Sequence, residues 1–287
     1  MDTLHEPVLR WYDAHARDLP WRHQDATPWA VMVSEFMLQQ TPVARVLPVY
    51  RTWLERWPVP AALADAPSGE AVRAWGRLGY PRRALRLHAA ATALVHRHDG
   101  QVPAEYDELR ALPGVGDYTA AAIASFGFGR RHAVLDTNVR RVLARARQGA
   151  ALPAASVTRA ERSLAESLVP EDDPARWAVA VMELGALVCT AANPRCEACP
   201  VAELCAWRAA GSPPYDGPSK KAQAWAGTDR QCRGALLAVL RDADGAVDAD
   251  ELEAAWTDGP QRARALASLI DDGLVVEQGG QGYSLPG

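Results

Sequence analysis

Four cysteines crowd into one short stretch as Cys189-x6-Cys196-x2-Cys199-x5-Cys205. Four thiolates in a single loop can enclose one metal centre. Structural zinc usually takes two separate Cys-x-x-Cys or His pairs, and this stretch holds one such pair. Iron–sulfur clusters take four cysteines at several spacings. A structural zinc knot or unligated cysteines are the plainer readings of the spacing alone. Glu35 is the second candidate, set in the apolar run Val31-Met32-Val33-Ser34-Glu35-Phe36-Met37-Leu38. A helix apolar on nearly every side is buried, and a carboxyl inside it is costly unless paired or protonated. Burial raises a carboxyl pKa, which suits a general acid near neutral pH. A glutamate hydrogen-bonded to a neighbouring helix or cap fits the same composition. The third candidate is the stretch 109–147. There the turn Leu112-Pro113-Gly114-Val115-Gly116 joins two helices, and Asp136 opens a third that is rich in arginine. Pro113 fixes one φ, and the two glycines permit conformations closed to other residues. Such a turn can aim backbone N–H groups at a phosphate ahead of the helix at Tyr118, or it can be an ordinary helix–helix turn. Asp136 fits a helix N-cap as well as a chemical role.

Helices must position these groups. His5 to Ala16 reads as a first helix, broken at Pro20-Trp21-Arg22. Thr27-Pro28 is an N-cap followed by proline at the first helical position, and it opens the helix that carries Glu35. Thr41-Pro42 repeats that signal ahead of VARVLPVYRTWLERW. Gly79-Tyr80-Pro81 is a turn, and Arg82 to His98 is a long helix. Strand-like alternation is nearly absent before residue 230, so the body is mainly α, a helical bundle with short loops. Residues 211–229 read as a linker rich in Pro, Gly and Ser. Beyond them, three helices and two short strands around Gly279-Gly280 resemble a winged helix.

The chain has 287 residues and a formal net charge of −4, which argues against a simple basic clamp on DNA. Its charge is uneven. Residues 1–150 carry 19 Lys and Arg against 15 Asp and Glu, whereas residues 211–287 carry 7 against 12. Basic clusters fall at Arg82-Arg83-Arg86, Arg130-Arg131 and Arg140-Arg141-Arg145-Arg147. No basic segment followed by an apolar run opens the chain, and no apolar run approaches the ~18–20 residues of a membrane span. The crowded cysteines do not form a secreted disulfide framework. A cytoplasmic monomer is expected. Cys232 lies outside the set and reads as a small buried apolar residue.

The cysteine spacing resembles the [4Fe–4S] loop of the endonuclease III superfamily of DNA glycosylases. The stretch from Leu112-Pro113-Gly114-Val115-Gly116 to Leu135-Asp136-Thr137-Asn138-Val139 resembles the helix-hairpin-helix motif and catalytic aspartate of the same superfamily. The string Ser34-Glu35-Phe36-Met37-Leu38-Gln39-Gln40-Thr41 resembles the catalytic-glutamate segment of MutY-type adenine DNA glycosylases. Together these resemblances cover residues from about 20 to 208.

They imply a two-lobed helix-hairpin-helix glycosylase domain over 1–210, with the cluster loop at 189–205, followed by the linker and a winged-helix-like module over 230–287. By position, Glu35 matches the acid that protonates adenine. Asp136 matches the carboxylate that stabilises the sugar cation, and Asn138 its polar neighbour. Gln40 and Tyr80 match side chains that wedge into the duplex, although Pro81 stands where the family often has a second aromatic. Leu112, Gly114, Val115, Gly116, Arg82 and Arg83 are the expected DNA contacts, and Cys189, Cys196, Cys199 and Cys205 the ligands of a [4Fe–4S] cluster. Tyr118 stands where bifunctional relatives hold a lysine that forms a Schiff base with the sugar. Tyrosine cannot, which implies a monofunctional enzyme acting on double-stranded DNA with a mispaired adenine.

The chain departs from the family at its C-terminal end. The domain resembling a nucleotide hydrolase, which reads 8-oxoguanine in many MutY-type enzymes, has no counterpart in the short acidic module. DNA contact by that module would need a local face such as Arg262 and Arg264. A mismatch thymine or uracil glycosylase of the same fold is the first alternative, and a non-catalytic iron–sulfur DNA-binding protein the second.

Overall fold

The computed structural model describes residues 3–217, 225–280 and 282–287. Residues 218–224 of the expected linker lie outside the described residues. The helices fall where the sequence puts them. The first spans His5–His15, the Glu35 helix Pro28–Leu38, and the long one Arg82–His98. Thr27 caps the Glu35 helix, its Oγ1 accepting from the Ala30 amide at 3.2 Å. Thr41 does not repeat this role. The Val43–Arg56 helix has no side-chain cap, and Thr41 Oγ1 is engaged with Leu78 O and the Arg83 guanidinium instead. Among the described residues, no helix is long and apolar enough to cross a membrane.

The chain divides into two compact units. One comprises Met1–Met32, Pro103–Ala111 and Val115–Ser219; the other comprises Val33–Val102, Leu112–Gly114 and Lys220–Gly287.

In the first unit, the Thr137–Gln148 and Pro174–Leu187 helices pack their apolar faces together with Val8 and Trp11 of the first helix. Val142, Leu143, Val181 and Leu184 are all at most 4 % exposed. One carboxylate is fully enclosed here. Glu183 accepts from Arg17 at 2.7 and 2.8 Å and from Arg22 at 2.8 Å. Burial by itself would raise its pKa, but the hydrogen bonds from Arg17 and Arg22 more than offset that and hold it down at about 2.

In the second unit, the Val43–Arg56, Ser68–Trp75 and Arg82–His98 helices enclose Trp53, Trp75, Leu63, Leu87 and Leu94, each at most 1 % exposed. Trp53 meets Trp57 and Trp75 edge-on at 4.6 and 5.6 Å, a favoured aromatic geometry. The C-terminal segment forms the Asp229–Asp242, Ala249–Ala255 and Gly259–Asp271 helices and an antiparallel pair, Val276–Glu277 with Tyr283–Ser284. This segment docks within the same unit. The half-buried Arg241 donates through Nε to Val72 O at 3.0 Å, and the Gly69 amide donates to Pro286 O at 2.8 Å.

Because the folded pKa of Glu183 is depressed from 4.5 to about 2, its contribution is present above pH 4.5 and is lost as pH falls towards 2. Glu183→Gln leaves two guanidinium groups without their carboxylate. It should lower the unfolding free energy by about 3–5 kcal/mol at pH 7. Chemical denaturation should also show a smaller acid-induced loss of stability between pH 5 and 2 than in the parent protein, a window set by that same shift.

Candidate active site and cysteine loop

Glu35 is buried in the Glu35 helix, 5 % exposed, with Phe36 and Met37 beside it at no more than 1 %. The chain leaves this helix through Gln40, which adopts φ 55°, and the neighbouring turn passes through Tyr80 at φ 47°. Non-glycine residues in this left-handed region are uncommon and need support from their surroundings. The support is Arg83. Its guanidinium donates to Phe36 O at 2.9 Å, Met37 O at 3.0 Å and Gln39 O at 2.6 Å, and also to Thr41 Oγ1 at 2.8 Å and Gly79 O at 3.0 Å. One side chain thus satisfies carbonyls in the last turn of the Glu35 helix and just beyond it, and fixes both strained turns. This corrects the expectation for Arg83 as a DNA contact. It is 4 % exposed, and its Nη donors point inward. Arg82 remains on the surface, paired with Asp272 at 3.1 Å. Gln40 and Tyr80 both reach solvent, Tyr80 at 48 % exposure.

The hairpin turn puts Leu112 and Val115 inside and Gly114 and Gly116 outside. Leu112 and Val115 can therefore meet a phosphate only through their backbone. The two glycines differ. Gly114 has φ +77°, and a Cβ there would lie 2.7 Å from Arg86 Cβ and 3.0 Å from Phe36 Cε1. Gly116 has φ −96°, which any residue adopts, and a Cβ would meet nothing within 4 Å. The expectation that both glycines serve special backbone conformations therefore holds for Gly114 alone. In the hairpin helices, Arg110 donates to Val115 O at 3.0 Å and pairs with Asp117 at 2.7 Å. Tyr118, in the first turn of the Asp117–Phe128 helix, is half-buried and packs against a cluster of Ala121, Ala122, Val134 and Ala178.

Asp136 is the N-cap of the Thr137–Gln148 helix. Its carboxylate accepts from the Asn138 amide at 2.9 Å, the Val139 amide at 2.6 Å and Asn138 Nδ2 at 2.7 Å. Burial raises its pKa; these three hydrogen bonds and the Arg141 charge oppose the rise without cancelling it. Asn138 is held in turn, since its Oδ1 accepts from Arg141 Nη2 at 2.8 Å. Arg141 also donates to Gly185 O at 2.7 Å and, through Nε, to Cys189 O at 2.6 Å. A continuous hydrogen-bond chain therefore runs from the Asp136 carboxylate to the backbone of the first cysteine.

All four cysteines of the loop line one pocket that opens to solvent. Arg145 borders it. Its guanidinium lies 4.8 Å over the Trp207 ring, and its Nη1 donates to Cys189 Sγ at 3.4 Å and to Thr190 O at 2.7 Å. Among the described residues, no three His, Cys, Asp or Glu side chains stand close enough to hold a single metal ion. The donor set is four thiols around a space, with a cation beside one sulfur. Four thiolates there could hold a metal centre through sulfur. Burial pushes the Cys199 thiol up to about 11, so a bound cationic centre is what would make it a thiolate. Cys232 is separate and fully buried.

The arginine-rich helix is not a DNA-facing basic surface. Arg140, Arg141 and Arg145 are 9 %, 8 % and 4 % exposed, and Arg140 pairs with Glu161 at 2.6 Å. The positioning roles of Arg83, Arg141 and Arg145 were missed at the level of sequence. Arg141 and Arg145 stand four residues apart, between Val139, Val142, Leu143 and Ala146. That spacing places them on one face of a helix that is otherwise largely buried, which was the available signal.

The glycine contrast gives a direct test. Gly114→Ala should cost about 1–3 kcal/mol of stability, read from denaturant melts, because φ and space both oppose it. Gly116→Ala should melt with the parent protein yet weaken duplex binding, read by fluorescence anisotropy. Its added methyl meets nothing in the protein and can crowd only a ligand at the turn.

The family described as "HhH-GPD superfamily base excision DNA repair protein" matches residues 33–167. A protein of Mycobacterium tuberculosis named adenine DNA glycosylase is 51 % identical over 98 % of this chain and 92 % of its own length. Its namesake in Mycolicibacterium smegmatis is 49 % identical over 98 % of this chain and 95 % of its own length. The solved structure of a thermostable thymine-DNA glycosylase superposes with a TM-score of 0.65 at 28 % identity, covering 71 % of this chain and 94 % of that one. Similarity that runs nearly end to end places the chain in the adenine DNA glycosylase family of the HhH-GPD superfamily of base excision DNA repair proteins.

Proposed function

We propose that this chain is a monofunctional adenine DNA glycosylase that hydrolyses the N-glycosidic bond of adenine mispaired with 8-oxoguanine or guanine. The observation that carries this reading is the end-to-end similarity to proteins named adenine DNA glycosylase. The thymine-DNA glycosylase neighbour keeps the thymine or uracil alternative in view, at lower identity and over less of the chain.

Adenine leaves poorly as an anion, so a proton must reach its ring first. Glu35, buried among apolar side chains, is the acid in this reading. Departure of the base leaves an oxocarbenium-like sugar. Asp136 supplies the fixed negative charge that stabilises it, and three donors orient its carboxylate. Water is the final nucleophile, because Tyr118 has no amine to form a Schiff base. The division of labour parallels the two carboxylates of glycoside hydrolysis.

The target base must first leave the stack, at a cost of a few kcal/mol that a mispair lowers. Gln40 and Tyr80, exposed on turns braced by Arg83, are suited to wedge into the gap. Backbone N–H groups at Gly114 and Gly116 would take phosphates without reading sequence, so affinity should fall with salt. Cys189, Cys196, Cys199 and Cys205 would hold a [4Fe–4S] cluster, whose contribution is to fold and brace the loop that meets Arg141 and Arg145. The C-terminal helices and strand pair form a winged-helix-like module, and the protein acts as a monomer.

Duplexes containing A:8-oxoguanine, A:G, T:G and U:G, incubated with and without later alkali, test the reading. Adenine should be released, with strand breaks only after alkali. Breaks without alkali refute monofunctional chemistry, and release of thymine alone moves the protein to the alternative substrate. Glu35→Gln should slow release by about 10²- to 10⁴-fold, and Asp136→Asn should abolish turnover while sparing duplex binding. Because burial raises the Asp136 pKa, the acid limb of the kcat profile should lie above the ordinary aspartate range. Asn138→Ala removes a donor to the ionised form and should move that limb higher still. The purified protein should carry iron and acid-labile sulfide in equal amounts; a single zinc would overturn the cluster.

A further inference from the structure

The acidic C-terminal module has five arginines among its described residues, and four are committed to protein acceptors. Arg233 pairs with Asp272 at 2.6 Å, Arg241 donates to Val72 O, Arg262 pairs with Glu253 at 2.9 Å and Arg264 pairs with Asp229 at 3.5 Å. The expected local face at Arg262 and Arg264 is therefore already neutralised. The fifth is Arg230. It is exposed, pairs with no carboxylate or carbonyl among the described residues, and holds its guanidinium 5.5 Å over the ring of Tyr80. Arg83 also lies over that ring, at 5.6 Å.

Local stability does not call for a cation at this position. Arg230 is in the first turn of the Asp229–Asp242 helix, where the helix dipole favours anions and disfavours positive charge. A guanidinium lying over an aromatic ring keeps its in-plane N–H donors free for an acceptor beyond the ring edge. Arginine is well suited to phosphate through this fork of donors. A protein that leaves one arginine of an acidic module unpaired, on the ring of an exposed tyrosine, has put a cation where an anion can reach it.

We infer that Arg230 is a DNA-binding residue of the C-terminal module, donating to a backbone phosphate beside the point where Tyr80 enters the duplex. The module thereby joins the DNA-binding surface through a single side chain despite its net negative charge. This inference rests on the reading of Tyr80 as a wedge.

The test measures binding of an A:8-oxoguanine duplex by anisotropy across a salt series, and base extrusion by the fluorescence of 2-aminopurine in place of the target adenine. Arg230→Ala should weaken binding about tenfold and lower the slope of log K against log salt by about 0.9, the value for one phosphate. Arg230→Lys should keep the slope. Arg264→Ala should match the parent in both, and all three variants should share its melting temperature. Parent-like affinity and slope in Arg230→Ala overturn the inference, as does weaker binding with an unchanged slope. Tyr80→Ala separates the two readings. If it loses extrusion while Arg230→Ala is inert, the wedge stands and the phosphate contact fails. If it extrudes normally while Arg230→Ala shows the altered slope, the wedge fails and the contact stands.

Discussion

A buried guanidinium must find acceptors for its N–H donors, and much of this structure is arranged around that requirement. Leaving such donors unmet in a low-dielectric interior is costly. Arg83 meets it through its Nη donors alone, with three carbonyls at the C-terminal end of the Glu35 helix, one hydroxyl and the carbonyl of Gly79, while its buried Nε finds no acceptor among the described residues. Arg141 meets it at Asn138, Gly185 and Cys189, and Arg145 at Cys189, Thr190 and Ala191. Each arginine satisfies carbonyls that helix ends and loops would otherwise leave without partners. The acceptors belong to segments that carry the candidate chemistry, so a demand of burial becomes a means of positioning.

The same economy governs the two carboxylates with proposed roles. Asp136 completes the N-terminus of a helix by accepting from two amides, and those bonds fix its orientation for any other task. Asn138 and Arg141 prevent it from turning towards solvent. Glu35 sits in a helix whose neighbouring side chains are almost wholly enclosed. The strained conformations at Gln40 and Tyr80 persist because Arg83 holds the residues around both turns. Strain of this kind clusters at functional sites where the surroundings over-determine it.

The C-terminal module shows how charge balance can mislead when it is read as a sum. Its excess of acid suggested little affinity for DNA. Most of its arginines are indeed neutralised by neighbouring carboxylates, and Arg241 is held against the backbone of Val72. What matters for a partner is the charge left unpaired at a particular place, and that quantity depends on contacts far apart in the chain.

The sequence by itself determined the helical class, the main helix boundaries and the short strand pair near the C-terminus, and it marked the cysteine loop, the glutamate and the aspartate as candidates. These are legible because apolar periodicity, capping residues, proline and cysteine spacing act over a few residues. It could not separate arginines that face solvent from those that brace the interior: Arg83 read as a DNA contact, and Arg140, Arg141 and Arg145 as one more basic cluster. It treated Gly114 and Gly116 alike, although only Gly114 is pressed against Arg86 and Phe36. Thr41 looked like a second helix cap, whereas its hydroxyl serves Arg83 and Leu78. In each case the deciding partner lies tens of residues away in the chain. Tertiary packing chooses that partner, because the acceptors a buried donor can reach are set by which segments the core brings together.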